Sequence, residues 1–227
     1  MTLVSEPIAA LVFLEIALIL SALRSLLRVL MGDAAHRQPA RQEIDETAGS
    51  QARSFKSGIE LPLVLVRLRA SASQDLQALN AMLLGSPSYK LLSQGRLPAS
   101  DEGSKLLASL PVDAAREDKF LWCAWQQTQL VGCIEVIRHW PQHDTAYIGF
   151  ALIREEHRRR GLGSQIFKTA RQNIRSWRGV RRLRLAVVEN NRGAIAFWRG
   201  VGFRDTGQRD RQADFAAPLI VMERPLA

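Results

Sequence analysis

The sequence predicts an α/β fold. Three observations lead to it. Short apolar runs rich in β-branched residues alternate with longer runs of helical spacing. The strand-like run 146–153 passes through a glycine-punctuated loop, Arg158-Arg159-Arg160-Gly161-Leu162-Gly163-Ser164, into a helix-like run at 164–177. A second strand-like run, 182–188, alternates, turns apolar and leads into another helix-like run at 192–200.

In chain order, residues 61–68 are apolar and β-branched and form the first expected strand. Residues 73–84 open on a cap-like Ser73 followed by Gln74 and Asp75, which predicts a helix. Ser86-Pro87 starts a second helix that ends near Gly95, and residues 104–110 form a short third. Residues 120–125 and 130–138 make a hairpin around Gln127-Thr128-Gln129. Strand 146–154, the loop and its helix, strand 183–188, helix 192–200 and a last strand at 218–223 complete the set. Cys123 and Cys133 are equidistant from Thr128, so the hairpin can set them face to face. They are expected to be thiols that pack as small buried hydrophobes.

The loop 158–164 carries the first chemical signal. Backbone N–H groups at a helix start have no intrahelical acceptor. The helix dipole adds partial positive charge at the same point. Together they suit a phosphate or pyrophosphate, and Arg158, Arg159 and Arg160 add guanidinium forks. The glycines do not follow the dinucleotide or P-loop patterns. Taken alone, the run also fits a helix start with a solvated basic cap.

Apolar residues make up 47% of the 227, enough for a core. Net charge is +9, and eleven basic residues from Arg154 to Arg184 against Glu155 and Glu156 account for all of it. A basic focus around the loop suits a polyanionic ligand. Arg171, Arg175 and Arg178 lie at helical spacing and fit a solvated face. No zinc-finger spacing or aromatic-interleaved basic strand accompanies the charge, so no nucleic-acid partner is expected. The four histidines are scattered and no Cys/His cluster has metal spacing, so no metal is expected.

Residues 8–23 are apolar apart from Glu15 and Ser21, and Arg24 and Arg28 follow. The run is shorter than the roughly 20 residues a membrane-spanning helix needs. Extension to Met31 suffices only with both arginines at the interface. Ser21, Arg24, Ser25 and Arg28 share one stripe, which favours a helix lying on a membrane surface or a partner protein. A true span, which would leave the C-terminal part in the cytoplasm, and a segment without a role stay open. No positive charge precedes the run, so no signal peptide is expected. Three parts follow: an apolar helix at 1–31, a polar linker at 32–58, and a folded domain at 59–227.

The two glycine-marked segments together resemble the GNAT superfamily of N-acetyltransferases. The family pattern Arg/Gln-x-x-Gly-x-Gly/Ala falls on Arg158, Gly161 and Gly163. The later pattern, Asn-x-x-Ala, an aromatic four residues on, then Gly-Phe, falls on Asn191, Ala194, Trp198, Gly202 and Phe203. The similarity covers roughly residues 62–225. It implies a mixed sheet with helices on both faces and two splayed central strands. It implies acetyl-CoA as co-substrate, no metal and a cytoplasmic setting, with the inner membrane face open through residues 8–31 and a homodimer also open. The pyrophosphate would lie on Arg158 to Ser164. The pantetheine arm would enter the gap and pair with the backbone of Leu152, Ile153 and Arg154, with Asn191, Ala194 and Trp198 in the same site.

The implied reaction is direct attack of a primary amine on the thioester in a ternary complex. It needs approximation, removal of an ammonium proton and stabilisation of the oxyanion. Two carboxylates are candidates for the base: Glu135, beside the splayed strand, and Glu189, at the end of the strand lining the gap. Each also fits a structural role, as an outward strand residue or a helix cap. Asp144, on a loop, is a third. Many members carry Tyr, able to protonate the departing thiolate, where this chain has Trp198. An indole N–H cannot do that, but a thiol of pKa near about 8.5 leaves without help. Trp198 is then expected to pack along the pantetheine, with Tyr147 the only other phenol close by. Tyr89, Trp140 and Tyr147 are expected to face the acceptor. The alternative is a CoA-binding regulatory or membrane-tethered module with little turnover.

Overall fold

Alternation along the central strands sets the architecture. The computed structural model describes residues 63–68 and 73–227; the apolar segment at 8–31 and the linker at 32–58 lie outside them. The elements are β1 (Val64–Arg67), α1 (Ser73–Leu84), α2 (Pro87–Gln94), α3 (Glu102–Ala108), β2 (Lys119–Gln126), β3 (Gln129–Arg138), β4 (Thr145–Ile153), α4 (Leu162–Arg175), β5 (Arg182–Val188), α5 (Arg192–Gly200), β6 (Arg204–Asp210) and β7 (Leu219–Pro225). Short 3₁₀ turns precede β2 and follow β4.

The strands form one seven-stranded mixed sheet in the order β1-β2-β3-β4-β5-β7-β6, antiparallel throughout except for β4 with β5. On β2, Trp122 and Ala124 join one core layer under α4 and α5, with Ile134, Ile148, Leu183 and Met222. Leu121 and Cys123 join the other, with Cys133 and Leu152, under α1 and the inner residues of α2 and α3. Helices therefore cover both faces, as expected. In α4 the buried Leu162, Ile166, Phe167, Ala170 and Ile174 share one helical face. Burying a side chain such as Ile174 stabilises by roughly 1.5–3 kcal/mol. Cys123 and Cys133 are register partners and free, buried thiols. Burial pushes the Cys123 thiol up to about 12, which removes its thiolate at neutral pH.

β4 and β5 pair only over residues 145–148 against 182–185. β3, in contrast, follows β4 to Ile153. A bulge falls at the point of parting: Glu135 pairs with Phe150 and Val136 with Ile148, so Gly149 has no register partner on either side. β6 is an addition to the expected elements. It is polar along both faces and nearly all exposed, and as an edge strand it pairs only with β7, so no alternation marks it. Among the described residues, no helix is long and apolar enough to cross a membrane.

Candidate functional site

The C-terminal ends of the parallel β4 and β5 lead into the N-termini of α4 and α5, so both helices start at the same end of the sheet. Arg159 and Gly161 take left-handed φ angles of 61° and 80° as the chain turns into α4. Glycine adopts that angle without steric cost. A Cβ on Gly161 would meet nothing within 4 Å, so the space beside it is open. Among the described residues, the N–H groups of Leu162, Gly163 and Ser164 find no protein acceptor, and no side chain caps the helix. Gly163 serves packing: a Cβ there would lie 3.2 Å from the Phe197 ring, so its absence lets α4 and α5 approach.

Strand alternation decides which backbone groups face the gap. The N–H of Arg154 donates to the Val131 carbonyl at 2.9 Å, toward β3. Leu152, two residues earlier, shares that direction, so Ala151 and Ile153 present their backbone to the gap. Ile153 is thus the one of Leu152, Ile153 and Arg154 with its edge toward the gap, and Ala151 is an addition to the residues expected there. The Ile153 carbonyl accepts from Arg158 Nε at 3.1 Å. Arg158 also donates to Ser88 Oγ at 2.8 Å, while the Ser88 N–H donates to Glu155 at 2.7 Å. These bonds staple the loop to the start of α2, and the Ser88 hydrogen bond holds the Glu155 carboxyl below its usual range. Arg154 turns back to Glu156. Arg159 and Arg160 are exposed.

Asn191 Oδ1 accepts from the Ala194 N–H at 3.0 Å and caps α5. Trp198 is 7% exposed, enclosed by Phe167, Phe197 and Phe203 at centroid distances of 5.7, 4.9 and 5.2 Å. The indole therefore has little surface to offer a ligand. Phe197, whose ring converges with Ile153 on Gly163, is the half-buried aromatic at the gap. The sequence does not single it out, because the motif marks its neighbour.

The three carboxylates separate clearly. Glu135 Oε2 lies 2.8 Å from Lys119 Nζ, each side chain 6% exposed. Lys119 also donates to the carbonyls of Leu106 and Ser109. Burial raises the Glu135 pKa against the pull of Lys119. The other oxygen, Oε1, lies under Gly149: a Cβ there would sit 2.6 Å from it, and apart from the chain neighbours no atom outside Glu135 comes within 4 Å. Glu189 is half exposed beyond β5, 3.9 Å from Arg209 Nε. Asp144 binds Arg182 at 2.6 Å at the start of β4, the far end of the strand from the gap. The Arg182 guanidinium holds its carboxyl below the usual range.

Two phenols, each in an aromatic pair, lie near enough to Glu135 to feel its charge. The Tyr89 ring meets Phe150 edge-on at 5.1 Å, and Trp140 meets Tyr147 edge-on at 4.8 Å. Burial pushes both phenols up to about 12, and the Glu135 charge adds to the rise at each. The C-terminal end of α2 reaches the β5 side, where Asn190 Nδ2 donates to the Leu92 carbonyl at 3.1 Å and the Ala216 N–H to the Ser93 carbonyl at 2.9 Å. A groove of about 410 Å³ starts at Ser164 and runs along α4 past Lys168 and Arg171 to Val201 and Arg224. Arg171 is half-buried there, unlike the solvated face expected of it. Loss of water, with Arg224 and Arg175 nearby, lowers its pKa.

Residues 90–203 match the model of the acetyltransferase (GNAT) family, and the chain belongs to that family. An acetyltransferase from Thermus thermophilus is 29% identical over 73% of this chain and 97% of its own, with a TM-score of 0.58. The ribosomal-protein-S18-alanine N-acetyltransferase of Escherichia coli shares the fold at 17% identity, covering 73% and 95%, with a TM-score of 0.53. The PaiA N-acetyltransferase of Thermoplasma acidophilum, solved in complex with coenzyme A, shares it at 16% identity, covering 73% and 99%, TM-score 0.53. No curated protein matches the chain. Family membership supports an acyltransferase.

Proposed function

We propose that this chain moves an acetyl group from acetyl-CoA to a primary amine by direct attack in a ternary complex. One observation carries the reading: pairing between β4 and β5 stops at Gly149, and the strand so freed runs on into the unpaired amides that open α4. A pantetheine arm can pair with the backbone of Ala151 and Ile153 while a pyrophosphate takes the N–H groups of Leu162, Gly163 and Ser164. The exposed Arg159 and Arg160 add attraction. The basic groove past Lys168, Arg171 and Arg224 suits the phosphorylated nucleoside end of the coenzyme. The coenzyme A bound to the Thermoplasma relative fits the same co-substrate.

Glu135 is the base favoured by geometry, because its Oε1 is open toward Gly149 whereas Glu189 stands outside on the surface. An alkylammonium gives one proton to Glu135. The nitrogen lone pair then attacks the thioester carbon, the C–S bond breaks with its electrons on sulfur, and the second nitrogen proton goes to solvent or the thiolate. Tyr89 and Tyr147, with pKa values of about 12, are poor acids for this step, so the thiolate leaves unassisted. The buried Lys119 on Glu135 also favours a second reading, a CoA-binding module with little turnover. Purified full chain with acetyl-CoA and a primary-amine library separates them: thiol release with N-acetyl product supports the enzyme, and tight binding with neither supports the module.

A further inference from the structure

α2 is tied at its two ends to different strands. At its start the Ser88 N–H donates to Glu155 at 2.7 Å, and Ser88 Oγ accepts from Arg158 Nη1 at 2.8 Å. Both partners lie on the stretch that follows β4. At its end the Leu92 carbonyl accepts from Asn190, just beyond β5, and the Ser93 carbonyl accepts from the Ala216 N–H, ahead of β7. The far end is held without a charged group. The near end depends on the Arg158 guanidinium, which also donates from Nε to the Ile153 carbonyl at 3.1 Å. Arg158 therefore lies on the open edge of β4 while it holds α2. Its bonded partners are neutral, a carbonyl and a hydroxyl. Its one carboxylate neighbour among the described residues, Glu155 Oε1, stands off at 3.8 Å and already accepts from the Ser88 N–H. The Arg158 side chain is 37% exposed, so it has room to swing.

Resting on the acetyltransferase reading, we infer that Arg158 is a strap that acetyl-CoA undoes. The pantetheine arm takes its place on the Ile153 carbonyl, a pyrophosphate oxygen takes the guanidinium, and Ser88, losing its bond, frees the start of α2. A charge-assisted bond to phosphate is roughly twice as strong as a neutral one, and the planar fork of a guanidinium matches phosphate oxygens, so the exchange of partners runs toward the coenzyme. The bond from Ser88 to Glu155 stays and serves as the hinge. Arg158 serves either α2 or the coenzyme, so the link is reciprocal. The strap weakens the coenzyme by the same factor by which the coenzyme weakens the strap.

The test uses the full chain as wild type, Ser88→Ala, which removes the hydroxyl, and Ser88→Thr, which keeps it. Acetyl-CoA affinity is measured by calorimetry. Hydrogen exchange of the segment 86–95 is followed by mass spectrometry with and without saturating acetyl-CoA. Ser88→Ala is expected to bind acetyl-CoA about two- to tenfold tighter than the wild type, the scale of one net hydrogen bond. Ser88→Thr should match the wild type. Acetyl-CoA should speed exchange of the segment in the wild type, whereas in Ser88→Ala the faster exchange is present before acetyl-CoA is added. Equal or weaker affinity in Ser88→Ala would overturn the strap, and so would unchanged or slower exchange of the wild-type segment on acetyl-CoA binding. Should Ser88→Ala not fold, the wild-type exchange decides alone. A wild type that binds no acetyl-CoA would overturn the acetyltransferase reading and the strap with it; one that binds it without the change in exchange overturns the strap only.

Discussion

Lys119 Nζ lies 2.8 Å from Glu135 Oε2, and both side chains are 6% exposed. This buried pair joins the strand that carries the proposed base to the strand beside it. Removing the cation leaves a buried, unpaired carboxylate. Lys119→Met is expected to cost about 3–5 kcal/mol, as measured by urea unfolding near neutral pH, whereas the double variant Lys119→Met/Glu135→Leu recovers much of the loss.

The same pair sets a pH dependence. The groups facing Glu135 are Lys119 from β2, Tyr89 from α2, Tyr147 from β4 and Cys133 from its own strand. Burial raises its folded pKa above the ordinary carboxylate value, and Lys119 opposes the rise. A raised folded pKa gives a stability contribution that is present at low pH and lost as pH climbs through the folded value. Activity runs the other way, because the base works only when ionised. The acid limb of kcat/KM is therefore expected above pH 4.5, the ordinary value for Glu. It should move higher in any Lys119 variant that folds, and no such limb should remain in Glu135→Gln.

Gly161 can carry no ordinary side chain at φ 80° without strain. Gly161→Val is expected to lose roughly 1–2 kcal/mol of stability. Acetyl-CoA affinity should weaken by about tenfold or more, read by calorimetry on a folded sample. Unchanged affinity would remove the loop from the site.

Arg171 and Lys168 line the groove that begins at Ser164. Arg171→Ala is expected to weaken coenzyme A by about tenfold, the scale of a charge-assisted contact, while leaving 3′-dephospho-coenzyme A nearly unaffected. Equal weakening of both would place the 3′-phosphate elsewhere.

Residues 8–31 are proposed to lie on a membrane surface or a partner protein. Full-length chain is expected to sediment with anionic vesicles, and the deletion of residues 1–58 should abolish that without changing acetyl-CoA affinity. Sedimentation of the truncated chain to the same extent would contradict the surface helix.

What is legible in the sequence follows from local physics. The α4 and α5 segments announce themselves because Gly161 and Gly202, both at left-handed φ, and the Asn191 cap are backbone requirements, written in residue type. The β2–β3 hairpin is visible through alternation, and so is the facing of Cys123 and Cys133. β6 is hidden because an edge strand exposed on both faces needs no alternation. The contact of Gly149 with Glu135 is hidden for another reason. The bulge opposite Glu135 and Val136 shifts the phase of β4, so no count along the strand places Glu135 Oε1 beneath it. Trp198 shows the converse: its motif position is right, yet packing by three phenylalanines takes the ring into the core.

Acetyl transfer is proposed to take place at the split between β4 and β5. The most direct measurement is a single reaction of wild-type full chain, acetyl-CoA and n-butylamine, followed for free thiol and for N-butylacetamide by mass spectrometry. Thiol and amide are expected to appear in equal amounts, both suppressed about 10²-fold or more in Glu135→Gln. Saturable acetyl-CoA binding with neither product, or full product formation in Glu135→Gln, would contradict it.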